Sequence, residues 1–175
     1  MSTYPLHYQN KSIELSLLLS VPATVGLFIA SKEIVNCLFG YGSFDSEDVI
    51  YTSMALTFFA IGVPAFALNK ILSTFYFARN NTKLPFYISL VSMITNIIIS
   101  VSLFKKYGFI IIPIATSFST WIAVIIYFIL LNRSKYINFK NIYFLSFLKI
   151  LFATTLMSLF LYFGLDYFED KFEYS

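Results

Sequence analysis

The chain has 175 residues, 58% hydrophobic and 12% charged, with a formal net charge of +3, whereas soluble domains carry roughly 25% charged residues. So much apolar surface cannot be hidden inside a water-soluble globule of this size, and the charges cluster between uncharged runs of bilayer-spanning length. The scattered basic residues form no stripe that could track a phosphate backbone, which argues against nucleic acid as a partner, and the lone Cys37 excludes an internal disulfide or a thiolate metal cluster.

In chain order, residues 1–14 form a polar N-terminal segment lacking the basic start and apolar core of a secretory signal. The first spanning helix must therefore direct insertion itself, unless upstream sequence is missing. His7, the sole histidine, lies in this segment, where neither a metal site nor a catalytic triad can be assembled. Spans are predicted over residues 15–31, 49–69, 87–104, 109–131 and 145–165, each near the roughly 20 residues a transmembrane helix needs. The fold class is thus an all-α polytopic membrane helix bundle over residues 15–165, followed by an acidic tail over 166–175. Residues 34–44 are uncharged and contain Gly40 and Gly42, so they are expected at the membrane interface.

Charge then gives a direction, because Lys and Arg in short loops favour the cytoplasm. One set of connections holds Lys11, Lys70, Arg79, Lys83, Arg133, Lys135, Lys140 and Lys149. The other holds Lys32, Lys105, Lys106 and Lys171 together with every acidic residue except Glu14. The first set is expected in the cytoplasm, with the N-terminus, and the acidic tail in the periplasm. Pro22, Pro64 and Pro113 fall inside predicted spans, where a missing N–H and a ring clash are expected to kink each helix.

No constellation of catalytic side chains is present, so an enzyme is not expected, nor a cofactor. Asp45, Glu47 and Asp48 form an acidic cluster, but Asp45 and Ser46 are also good caps for the helix that follows, and capping is preferred over cation binding. The candidate substrate-binding residues are Lys70, Arg79, Lys83 and Lys149, which could meet an anionic headgroup or a pyrophosphate. The plainer alternatives are long stems snorkelling to the interface for Lys70 and Lys149, and a positive-inside loop for the turn holding Arg79 and Lys83. Asn96, Ser100, Thr116 and Ser119 are polar residues within spans. Asn96 and Ser100 share a helical face at i,i+4, and interhelical hydrogen bonding is their simplest role.

Several ordered motifs resemble the MurJ (MviN) family of lipid II flippases, within the multidrug, oligosaccharide-lipid and polysaccharide exporter superfamily. They run from Leu18-Leu19-Ser20-Val21-Pro22-Ala23-Thr24-Val25-Gly26-Leu27 through Leu38-Phe39-Gly40-Tyr41-Gly42-Ser43-Phe44-Asp45 to Gly62-Val63-Pro64-Ala65-Phe66-Ala67-Leu68-Asn69-Lys70. Phe75-Tyr76-Phe77-Ala78-Arg79-Asn80-Asn81-Thr82-Lys83-Leu84-Pro85, Asn96 and Gly108 continue the series. Asn81 stands where the family usually has Asp, and the part beyond Lys135 is similar only in hydropathy. The resemblance implies a fourteen-helix carrier in two lobes, of which this chain would be helices nine to thirteen.

By the same resemblance, the cationic cavity arginines of the family lie outside this chain, mainly in the first lobe and helix eight. The resemblance also implies a cation site among helices seven, eleven and twelve of some members; the matching groups here are Asn96, Ser100, the carbonyl of Ile112 and Thr116, with Ser100 replacing a carboxylate and the helix-seven partner absent, a neutral set expected to bind sodium only weakly. The implied function is part of a lipid II flippase, moving the undecaprenyl pyrophosphate-linked peptidoglycan precursor between leaflets of the bacterial inner membrane by alternating access. Implied partners are that lipid-linked precursor, membrane lipids and the missing first lobe. The last predicted helix would help form a groove for the isoprenoid tail. The alternatives are an exporter of another lipid-linked oligosaccharide or polysaccharide, and a non-transporting membrane scaffold.

Overall fold

The computed structural model describes residues 4–42, 44–133 and 144–172, and the side chains of residues 8–42, 44–133 and 148–164. Among the described residues all regular structure is helical: α1 (Tyr4–Ile29), α2 (Ser31–Phe39), α3 (Ser46–Phe77), α4 (Lys83–Tyr107), a single 3-10 turn (Gly108–Ile110), α5 (Ile111–Arg133) and α6 (Phe144–Phe172). Each predicted span falls on one of the five long helices. By length and apolar composition Tyr8–Ile29, Ser46–Phe77 and the stretch Lys83–Arg133 can cross a membrane. That last stretch is no single rod, because the 3-10 turn folds it back into the α4–α5 hairpin.

Most helix ends lie beyond the predicted spans, because hydropathy registers only the lipid-facing length, whereas α1 stops at Ile29 and α5 starts at Ile111, each two residues inside its span. The polar stretch before residue 15 is the opening of α1: Ser12 Oγ donates to Tyr8 O at 2.9 Å, and Ile13 is buried at 1% exposure. Likewise α3 continues past residue 69 for two turns, carrying Leu72, Phe75 and Tyr76 into the core. Pro22 and Pro64 lie inside α1 and α3 as expected. Pro113 corrects the expectation of a mid-span kink, since it sits in the first turn of α5, where a missing N–H removes little. The side chains of His7 and of residues 166–175, and the whole basic stretch with Lys135 and Lys140, lie outside the described residues.

The long helices form a row in the spatial order α6, α1, α3, α5, α4. Although five residues join α3 to α4, those two scarcely touch, and each packs instead on the far side or the near side of α5. Gly26 of α1 receives the Met157 side chain of α6, which leaves no room for a β-carbon there. The core cluster lies at the end holding the α1 N-terminus, where Ile13, Leu68, Leu72, Tyr76, Ile88, Val124, Tyr127 and Leu131 meet from four helices. Tyr76 and Tyr127 stack at 5.8 Å within it. Toward the opposite end the same interfaces are built from small and hydroxyl side chains, namely Ala60, Gly62, Ser53, Ala115, Ser117 and Thr120. Small residues allow helices to approach closely without a hydrophobic driving force, as membrane bundles require.

The turns are built from local chemistry. Asp45 Oδ1 accepts from the backbone N–H of Glu47 and of Asp48, each at 3.0 Å, and Asp48 Oδ2 accepts from Asp45 N at 3.4 Å. This reciprocal capping box satisfies orphan donors at the start of α3 and accounts for the acidic cluster. Gly108 reverses the chain between α4 and α5 with φ 63 and ψ −147, a backbone region essentially closed to other residues.

Candidate functional site

Two groups of predicted residues can now be placed. The first lies between α4 and α5. Asn96 Nδ2 donates to Thr116 Oγ1 at 3.0 Å, Ser100 Oγ donates to Asn96 Oδ1 at 3.4 Å, and Thr116 Oγ1 donates to Ile112 O at 2.8 Å. The structure therefore brings Asn96, Ser100, Ile112 and Thr116 into one hydrogen-bonded chain across two antiparallel helices. One turn further, Ser92 Oγ donates to Ser119 O at 3.0 Å and extends the polar seam.

The four groups are neutral and bonded to one another, an arrangement that serves interhelical bonding directly and offers no carboxylate to a cation. Asn96 turns its amide nitrogen, not its oxygen, toward Thr116. Among the described residues no cluster of three or more His, Cys, Asp or Glu side chains could hold a metal.

The second group is the basic set. Lys70, Lys83 and Lys149 are exposed, on α3, at the first residue of α4 and near the start of α6. With Arg79 they share one end of the row, the end of the apolar core cluster. Arg79 is half-buried, and its Nη1 donates to Phe75 O at 2.6 Å, closing the last turn of α3. In the same turn Asn80 adopts the left-handed conformation at φ 55. Asn81 Oδ1 accepts from Leu84 N at 3.3 Å, so the carboxamide oxygen does the capping that an Asp would do there.

A third group escaped the sequence reading. On α5, Ser117 Oγ donates to Phe58 O at 2.8 Å and Trp121 Nε1 donates to Ile61 O at 3.2 Å, so two side chains one turn apart hold the backbone of α3. Pro64 deprives Ala60 O of its helix donor, whereas Phe58 O and Ile61 O take the α5 bonds in addition to their own helix partners, Gly62 N–H and Ala65 N–H. Gly62 lets the helices close: a β-carbon there would lie 2.5 Å from Ser117 Oγ and 2.9 Å from Phe66 Cε2. Nothing in the sequence marks these two carbonyls as acceptors or tells which helix supplies the donors.

Known proteins share this fold and sequence pattern. The family model "Lipid II flippase MurJ" matches residues 6–175. The probable lipid II flippase MurJ of Rickettsia prowazekii is 35% identical over 151 residues, covering 86% of this chain and 30% of that protein. The corresponding protein of Buchnera aphidicola subsp. Schizaphis graminum is 31% identical over 156 residues, covering 89% of this chain and 30% of that protein. A solved structure of lipid II flippase MurJ in an inward closed conformation superimposes with a TM-score of 0.73 at 28% identity, over 90% of this chain and 32% of that one. The chain thus spans about a third of the length of these relatives.

Proposed function

The chain belongs to the lipid II flippase MurJ family, and from that premise we propose that it forms part of a carrier that moves a lipid-linked peptidoglycan precursor across the bacterial inner membrane. It is a multi-pass membrane protein whose long helices lie side by side rather than around a closed core. The observation that carries the reading is the family match along nearly the whole chain, on a helix row that one face of an alternating-access cavity could use as its wall.

In this reading the basic end faces the cytoplasm. Lys70, Lys83 and Lys149 hold their ammonium groups where a pyrophosphate headgroup would enter, while Arg79 positions the α3–α4 turn. The apolar exposed face of α6, with Leu151, Phe152, Leu159 and Phe160, suits an isoprenoid tail. The polar seam of Asn96, Ser100, Thr116 and Ile112 O acts as a lock that makes α4 and α5 move as one body. The rest of the cavity comes from the helices this chain lacks relative to its relatives, and with them the headgroup selectivity.

Orientation has its own test. In a Cys37→Ser chain, a cysteine at Ser46 should react with a membrane-impermeant maleimide in spheroplasts and one at Asn80 should not; the reverse pattern would place the basic end outside. For function, the complete gene should restore growth to a bacterium depleted of its own lipid II flippase. Failure despite normal membrane insertion would remove the lipid II assignment and leave another lipid-linked saccharide as cargo.

A further inference from the structure

We propose that α2 and the corner between α4 and α5 form an anchor that seats this end of the bundle in the headgroup–acyl boundary of a phospholipid leaflet, with zwitterionic headgroups as the partner. The inference concerns how the bundle is held in the membrane and stands independently of the cargo.

The placement follows from the chain path. α1 crosses the bilayer and ends at Ile29, and α3 begins the return at Ser46, so α2 lies at the depth where the helices leave the lipid. Within α2 the positions 31, 34, 35 and 38 share one face. Ser31 and Val35 on that face are buried, with α2 lying along α3, and Thr57 Oγ1 bonds Ser31 Oγ at 3.0 Å. Leu38 and Phe39 continue past this contact and stand uncovered at 55% and 53% exposure, followed by Tyr41 at 72%. Asn36 lies on the far, polar side and is exposed, and Lys32 sits on the flank beside Phe39, where its long stem can reach up to the headgroups. A short helix that is half docked, apolar beyond its dock and polar behind is built to lie in an interface plane.

A second element repeats the chemistry at the same end. Phe104, Lys105, Lys106, Tyr107 and Phe109 are all exposed at the α4–α5 corner, and Lys106 Nζ lies 5.2 Å over the Tyr107 ring. Tyr51, in the second turn of α3, meets Phe109 edge-on at 6.1 Å and ties the corner to the start of α3. Aromatic rings with one polar atom prefer the headgroup level. The charges there are mixed: Lys32, Lys105 and Lys106 can meet lipid phosphates, while exposed Glu47, whose carboxylate stands outside the capping box, favours the ammonium of a zwitterionic headgroup. That pairing, rather than a run of one sign, selects a zwitterionic surface over a purely anionic one.

The test places nitroxide labels at Leu38→Cys and Asn36→Cys in the Cys37→Ser chain, reconstituted in liposomes of phosphatidylethanolamine with a minority of phosphatidylglycerol. The Leu38 label should collide several-fold more often with oxygen than with a water-soluble nickel chelate, and the Asn36 label should show the opposite ratio. Preference of the Leu38 label for nickel would overturn the proposal by putting α2 in water. Protection of that label from both probes would overturn it equally, because protein rather than lipid would then cover the face. Phe39→Cys gives the same reading if Leu38→Cys fails to insert.

Discussion

Replacing Gly62 with leucine should abolish the rescue of growth by the complete gene and destabilise the bundle by about 3 kcal/mol, the upper range for overpacked cores. A β-carbon alone would press against Ser117 Oγ and the Phe66 ring. The remaining leucine atoms would push α5 off α3, and the two bonds that α5 donates, from Ser117 to Phe58 O and from Trp121 to Ile61 O, would break together. Each of these interhelical bonds is worth about 0.6 kcal/mol on average in membrane bundles, and the loss of packing around Gly62 adds the larger part. Gly62→Ala should fall between Gly62→Leu and the parent chain, because only the β-carbon must then be accommodated. Unfolding in a mild detergent measures the order of the three. Equal stability of Gly62→Leu and the parent chain would show that α3 and α5 do not approach as described.

The second large effect is expected at the opposite end of the same helix. Leu72 has 0% exposure within the cluster that includes Ile13, Tyr76, Tyr127 and Leu131. Leu72→Ala should cost about 2–5 kcal/mol through lost contacts and an unfilled cavity. Dispersion supplies this cost even where lipid replaces water, since a void has no partner atoms on one side. By comparison, Asn96→Leu removes one interhelical hydrogen bond, to Thr116, worth about 0.6 kcal/mol on average. The Leu72 variant should therefore unfold well before the Asn96 variant as denaturant rises. A Leu72→Ala chain within about 0.5 kcal/mol of the parent would mean that the cluster collapses into the gap.

The long helices were legible because bilayer thickness sets a length that composition alone reveals. Their ends were not, since Tyr4 and Phe77 lie outside the apolar windows and are fixed by helix bonding and packing. Capping at Asp45 was readable because the chemistry is local, whereas Pro113 was misread because its distance from a helix start depends on the Gly108 turn. That Asn96 and Thr116 would meet followed from resemblance, not from spacing. The bonds from Ser117 and Trp121 had no sequence signature at all, because their acceptors are backbone carbonyls, which every residue carries. Nor could spacing show that consecutive α3 and α4 would be parted by α5, as the row order is a tertiary choice.

The most direct measurement follows lipid II itself in flippase-depleted cells carrying the complete gene. The accessible fraction is read with an enzyme that degrades lipid II and is added from outside. The account predicts that the wild-type gene restores outer-leaflet lipid II and that the Gly62→Leu gene does not. Lipid II staying confined to the inner leaflet with the wild-type protein correctly inserted would contradict it.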